Sequence, residues 1–290
     1  MRVIDAHHHL WDLNAVDYPW LNAKGVERFF GDPTPIQRDY MLDEFRKESS
    51  EHGVRSSVHI QVGAEDGLAE AKWVQSVVNS HPDWSMVQVV FCDLTSPNLE
   101  HILDSYMKLS SVRGVRQIIG RAPEEDSNTG TNDLLKSDAL LRGLRMIGER
   151  GLSFDLQLIP ELMMATSEIL QETPQTKVAL CHAGSPHDRS DQGLAKYAAE
   201  LRAMAQLKNV TCKLSGLGMF DHNWTSGSIK PIVDICLREF GEKRCMFGSN
   251  FPVDKLYSSY KTLFETYKKI IPKEFHEMIF HKVAESFYFD

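Results

Sequence analysis

Three consecutive imidazoles, His7-His8-His9, follow the run Val3-Ile4-Asp5-Ala6 and precede Leu10-Trp11. If residues 1–6 form a buried β-strand, side-chain alternation puts His7 and His9 on one face and His8 on the other, so the pair approaches a common point. Neutral imidazole is the commonest metal ligand and titrates near neutral pH, so two on one face suit a metal site or acid–base chemistry. A lone His triplet also fits an expression tag or a solvated loop. The strand-like residues before it and the apolar pair after it point instead to the rim of a pocket.

Further polar residues recur at the ends of predicted strands: Gln61, Asp93, Arg116 with Gln117, Asp155 with Gln157, His182, Lys213 with Ser215, and Ser249 with Asn250. Any one of them could cap a helix. One set at the end of every strand is the pattern of a site built at one mouth of a barrel. Arg116 and Lys213 could pair with Asp93 or Asp155 in a structural network. Equally, cations in a cavity bind carboxylate or carbonyl oxygens and stabilise an oxyanion. Asp155 could brace the rim or act in the chemistry. His182, between an apolar strand and Gly184, reads as a site residue, whereas His52, His59, His81, His101, His187, His222, His276 and His281 read as surface or packing residues.

These positions require strands that alternate with helices. Short apolar runs predict strands at 56–62, 86–93, 114–119, 152–158, 177–182, 210–214 and 244–248, besides the first. Helical stretches are expected at 41–52, 68–79, 99–109, 139–150, 160–172, 193–207, 229–240, 258–270 and 274–288. The segment 14–40, with Tyr18, Trp20, Phe29 and Phe30, is too long for a simple turn, and its aromatics suggest function. Eight near-continuous apolar strands, each followed by a helix, fit an α/β chain folded as a single (β/α)8 TIM barrel over residues 1–290. An open doubly wound sheet is disfavoured because no Gly-x-Gly-x-x-Gly follows the first strand.

Composition limits the partners. The net charge of −8, without any Lys/Arg block, argues against nucleic acid and anionic membrane surfaces and for a small-molecule substrate. Five cysteines without Cys-x-x-Cys spacing read as free thiols of a reducing compartment, and with no signal-like or spanning segment the expected location is the cytoplasm. The oligomeric state is open, a homodimer being one option.

With His7-x-His9, Gly114-Val115-Arg116, Cys181-His182-Ala183-Gly184, Cys212-Lys213-Leu214-Ser215-Gly216-Leu217 and Phe247-Gly248-Ser249-Asn250-Phe251-Pro252-Val253, the chain resembles the amidohydrolase superfamily. It is most similar to the amidohydrolase-related (amidohydrolase 2) branch, which includes L-fuconolactonase, L-rhamnonolactonase and pyrone-dicarboxylate lactonases. The resemblance implies a TIM-barrel hydrolase with His7, His9 and His182 as potential metal or substrate ligands. Asn250 stands where most of the superfamily has an aspartate that binds metal and takes a proton from water; an amide cannot be that base. No strand-four or strand-five residue suggests a bridge between two metals. The expectation is therefore one divalent cation, Zn2+ or Mn2+, on His7, His9 and His182, or no required metal at all.

The reaction expected is water attack on the ring carbonyl of a small sugar-acid or dicarboxylate lactone. Catalytic roles fall to His182, Arg116, Lys213, Asn250 and Asp254, the last as the nearest carboxylate to replace the missing base. Trp11, Tyr18, Trp20, Gln61, Asp93, Gln117, Asp155 and Gln157 are the expected substrate contacts. The alternatives are a metal-dependent decarboxylase of the same superfamily, disfavoured by Asn250 and Gln157, and an inactive ligand-binding barrel, disfavoured by the intact polar set on the other strands.

Overall fold

A computed structural model describes residues 1–290 of the chain. Eight strands follow one another in sheet order: β1 (Val3–His8), β2 (Val54–Ile60), β3 (Ser85–Phe91), β4 (Val112–Ile118), β5 (Ser153–Gln157), β6 (Val178–Leu180), β7 (Val210–Leu214) and β8 (Cys245–Phe247). All seven ladders between neighbours are parallel. The seam between β8 and β1 is closed just beyond β8, where Asn250 N–H donates to the His7 carbonyl and His9 N–H to that of Phe251, both at 2.7 Å. The fold is the expected (β/α)8 barrel.

The helices are α1 (Pro19–Asn22), α2 (Leu42–Ser49), α3 (Gly67–Ser80), α4 (Leu99–Tyr106), α5 (Pro123–Thr129), α6 (Asp138–Glu149), α7 (Met163–Gln171), α8 (Asp191–Gln206), α9 (Ser226–Phe240), α10 (Tyr260–Ile270) and α11 (Val283–Tyr288). Several start on side-chain caps that satisfy otherwise free N–H groups: Asp66 for α3, Ser137 for α6, Ser190 for α8 and Thr225 for α9. Their apolar faces and the outward faces of the strands form the main core. A second, smaller core lies inside the barrel, where Ile4, Ala6, Val58, Ile60, Val87 and Val89 meet Val283, Ala284 and Tyr288 of α11, which plugs one end. All five cysteines are buried free thiols. No helix is long and apolar enough to cross a membrane.

One expected strand ends early and one short helix is additional. The sixth strand stops at Leu180, and 181–184 form a tight turn in which His182 and Ala183 have φ of 54° and 52°. The polar stretch 123–133 carries a helix, α5, begun by Pro123 and ended by Gly130 in the left-handed conformation, which glycine adopts without strain.

Candidate active site

Ile4 and Ala6 face the barrel interior, so strict alternation would send His8 inward and His7 and His9 out. A register irregularity between Asp5 and His8 reverses this. Such a bulge adds one residue to the strand and re-aims the side chains beyond it. His8 then points outward and stacks on Phe45 of α2 at 4.0 Å. The His7 ring lies inside, its centroid 5.1 Å from that of His9 and 4.5 Å from that of His182. Asp5, also turned outward, anchors the bend: its carboxylate accepts from the N–H groups of His7 and Ser249 and from the Tyr260 hydroxyl. Gly248 is required beside it, since a Cβ there would come within 2.6 Å of His7 Cβ.

Each of the other two imidazoles is oriented by one ring nitrogen. His9 Nδ1 lies 2.8 Å from the Ile60 carbonyl, and His182 Nδ1 lies 3.1 Å from Ser215 Oγ. His9 Nε2 lies 3.3 Å from Asn250 Oδ1, so the neutral ring donates its one N–H either to Ile60 from Nδ1 or to Asn250 from Nε2, and Asn250 Nδ2 donates to Asp254 Oδ2 at 2.6 Å. His182 and Asn250 both hold left-handed backbone, φ 54° and 58°. Non-glycine residues adopt that region rarely and at a cost, and such residues concentrate at functional sites.

A cavity of about 290 Å³ opens above these groups at the C-terminal mouth of the barrel. His9, His182, Asn250, Arg116, Gln61 and Gln157 reach it from strand ends, Trp20 from α1, and Arg28, Phe30 and Arg121 from loops. Arg116 is held by the Gln61 carbonyl at 3.1 Å and by Gln157 Oε1. Burial lowers the pKa of His182 well below the usual imidazole range, helped by Arg116, and brings His9 down to about 3. His7 is lowered well below its usual range as well, by burial first and then by its neighbours His182 and Lys213. All three rings are therefore neutral at pH 7 and carry free lone pairs.

Several expected contacts lie elsewhere. Lys213 is fully buried beneath the cavity, bonded to Asp155 and, at 2.7 Å, to the Ala6 carbonyl. Asp155 also accepts from Tyr288 of the plugging helix at 2.8 Å, so the pair lies at the floor of the cavity and not at its rim. Asp93 and Gln117 bond each other at 3.1 Å, and neither lines the cavity. Trp11 and Tyr18 are buried behind the wall: Trp11 Nε1 donates to the Arg38 carbonyl at 2.6 Å and its ring supports Trp20 edge-on. Asp254 is fully buried behind Asn250, accepting from Gly218 N–H, with its carboxyl pushed up to about 7 by burial. It positions Asn250 and does not face the cavity. Arg28 and Arg121 are lining residues that the sequence reading missed. Arg121 follows the fourth strand by three positions, a faint signal; Arg28 sits in the long loop 14–40, which gives none.

The donor chemistry of His7, His9 and His182 suits one divalent cation. Both ring nitrogens of His7 are buried without a partner, and the other two rings are tied at Nδ1, which leaves Nε2 for a ligand. The positions are less favourable than the chemistry, because no three His, Cys, Asp or Glu side chains are drawn around one point.

A family model described as amidohydrolase matches residues 4–289. The chain is 34% identical to an uncharacterized protein, y4mH, of Sinorhizobium fredii, over 99% of this chain and 98% of that one. It is 28% identical to an L-fucono-1,5-lactonase of Burkholderia multivorans, covering 89% of this chain and 84% of the relative. Among solved structures, an amidohydrolase of Burkholderia multivorans with bound zinc superposes with a TM-score of 0.84 at 22% identity, covering 99% of both chains.

Proposed function

The chain belongs to the amidohydrolase family, and from that premise we propose that it opens a small lactone by adding water to the ring ester carbonyl. The observation that carries this reading is the cavity wall: a neutral imidazole, His182, beside a guanidinium, Arg116, that no carboxylate pairs. The likeness to a protein named L-fucono-1,5-lactonase supports the choice of an ester over an amide.

The lactone sits over His182 with its carbonyl oxygen toward Arg116 and its ring against Trp20. With Nδ1–H given to Ser215, His182 Nε2 takes a proton from the attacking water. The new C–O bond turns the carbonyl oxygen into an oxyanion, and Arg116 stabilises it in a cavity that holds no opposing carboxylate. Collapse breaks the ring C–O bond, and the leaving alkoxide receives the proton held by His182, giving a hydroxy acid. The lowered pKa makes His182 a weak base but keeps its lone pair available across the neutral range. An ester is activated enough for one oriented base and one cation to suffice. Were a divalent cation bound, His7, His9 and His182 would hold it, and it would supply Lewis-acid activation of water or carbonyl.

The test is proton release from a panel of sugar-acid and dicarboxylate lactones, with bound metal quantified and with and without chelator. Turnover of any lactone, lost in His182→Ala, supports the reading. No turnover, with CO2 released from an aromatic acid instead, transfers the fold to decarboxylation.

A further inference from the structure

The cavity is lined by three arginines and no carboxylate: Arg28, Arg116 and Arg121 all reach it, and neither Asp nor Glu does. This is unusual within a chain of net charge −8. Elsewhere many of its arginines pair with acids, as Arg38 does with Glu44, Arg46 with Asp83, Arg189 with Asp221 and Arg202 with Glu239, while others, such as Arg113 and Arg244, are spent on backbone carbonyls. None of the three cavity arginines has a carboxylate within salt-bridge distance.

Arg121 is the most telling. Its backbone is fixed by Asn132, whose Oδ1 accepts from Arg121 N–H at 2.8 Å and whose Nδ2 donates to the Arg121 carbonyl at 2.9 Å. The guanidinium thus projects from a pinned loop just past β4, yet Nε is buried and unpartnered. Burial lowers the Arg121 pKa first; Arg116 and Arg28 add to that, and Glu125, the strongest charged neighbour, opposes it from outside this cavity without reaching salt-bridge distance. Holding three like charges about one small cavity costs free energy unless a ligand brings the opposite sign. Arg28 lies over the Trp20 ring at 5.9 Å, at the outer side of the same space.

We propose that Arg121 and Arg28 are specificity residues for a carboxylate carried by the substrate at a position remote from the ester, with Arg116 left for the reacting carbonyl. The substrate class is then an anionic, carboxylated lactone and not a neutral polyhydroxylated one. The planar guanidinium fork matches a carboxylate in two-point contact, and a cavity of about 290 Å³ admits a ring with one such substituent. This rests on the hydrolytic reading for the word lactone, and on the lining alone for the word anionic.

The test separates the two. Binding of glutarate and of its uncharged diamide is measured by calorimetry on the wild type, Arg121→Gln, Arg28→Gln and the double variant, alongside hydrolysis of γ-butyrolactone and its γ-carboxylated form. The expected result is that glutarate binds and the diamide does not. Each substitution weakens glutarate about tenfold or more, and a preference of the wild type for the carboxylated lactone collapses in the double variant. Arg28 is exposed and neither residue leaves a paired acid behind, so the variants fold; their melting temperatures verify this. Glutarate binding that behaves as expected with neither lactone hydrolysed sinks the hydrolytic reading and sustains the anionic one. Unchanged glutarate affinity in the double variant, or a preference for the neutral lactone, overturns the proposal. So does tighter binding of inorganic phosphate than of glutarate at the same arginines.

Discussion

Asn250 donates its side-chain N–H to Asp254 across 2.6 Å. The amide thereby removes a conflict: an acid at 250 would stand against a buried carboxyl already pushed up to about 7. We expect Asn250→Asp to destabilise the protein by about 1–3 kcal/mol near pH 8, and the exchanged pair Asn250→Asp with Asp254→Asn to recover most of that loss. Denaturant unfolding of the two single variants and the double gives the coupling. Additive losses would mean that the contact contributes nothing.

Arg116 is assigned to the transition state, so its removal must show in kcat. Arg116→Ala should lower kcat about 100-fold and raise KM as well, because the guanidinium meets the developing oxyanion and not the ground-state ester alone. A rise in KM at constant kcat would reduce Arg116 to ground-state binding.

The legibility of this fold in its amino-acid sequence has a physical divide. Parallel strands buried on both faces are near-continuous apolar runs, so runs such as Met86–Cys92 and Val210–Leu214 could be recognised, and with them the eight-fold alternation. Residues at the ends of those runs, His9, Gln61, Arg116, Gln157, His182 and Asn250, then had to lie near the mouth. Depth was not legible. Lys213 and Asp155 lie one layer below, tied to Tyr288, and nothing in the local sequence separates a floor pair from a cavity pair. Nor was loop direction: Trp11, Tyr18 and Trp20 are alike as aromatics in one segment, and only the last faces the cavity, where its Nε1 is anchored on the Val62 carbonyl at 2.7 Å. The bulge at Asp5–His8, which turns His7 inward, leaves no signature of composition.

The orientation of His182 can be disturbed without touching its chemistry. Gly216 has φ of 65° and sits so close that a Cβ would meet His182 Nδ1 at 2.3 Å. Gly216→Ala must push the imidazole off Ser215 and out of line with the cavity. We expect kcat to fall at least tenfold, with Ser215→Ala giving a smaller loss by removing the hydrogen bond alone. Steady-state kinetics on both variants verifies the order; equal or negligible losses would remove the Ser215–His182 bond from the mechanism.

The Lys213–Asp155 pair is predicted to act on stability and not on turnover. Both side chains are fully buried, so removing one leaves the other charge uncompensated. Lys213→Met should cost about 3–5 kcal/mol, while replacing both partners with apolar residues of similar volume should cost much less. The check is thermal unfolding of the single and double variants, with kcat measured well below each transition. A kcat lost in the double variant at full folding would return Lys213 to the catalytic set.

Glu70 ties the pH dependence of stability to a named group. It lies in the first turn of α3, almost fully buried, with one carboxylate oxygen accepting from Val62 N–H at 3.0 Å. Burial pushes its carboxyl up to about 8 from an ordinary 4.5. Below about pH 4.5 it is protonated folded and unfolded alike and has no effect on the slope. Between there and about 8 the folded state keeps a proton that the unfolded state has released, so stability falls with each unit of rising pH; above 8 the loss is complete. Glu70→Gln keeps the acceptor and abolishes the titration, while Asp5 and Asp254, raised to about 6 and about 7, stay the same in both proteins and cancel in the comparison. The variant should therefore gain on the wild type by about 3 kcal/mol, or roughly 6–12 °C in Tm, as pH goes from 5.5 to 9. Calorimetric scans of both proteins across that range measure it. A Tm difference independent of pH would show that Glu70 titrates as an ordinary exposed acid and that the wall behind Gln61–Gly63 is open to water.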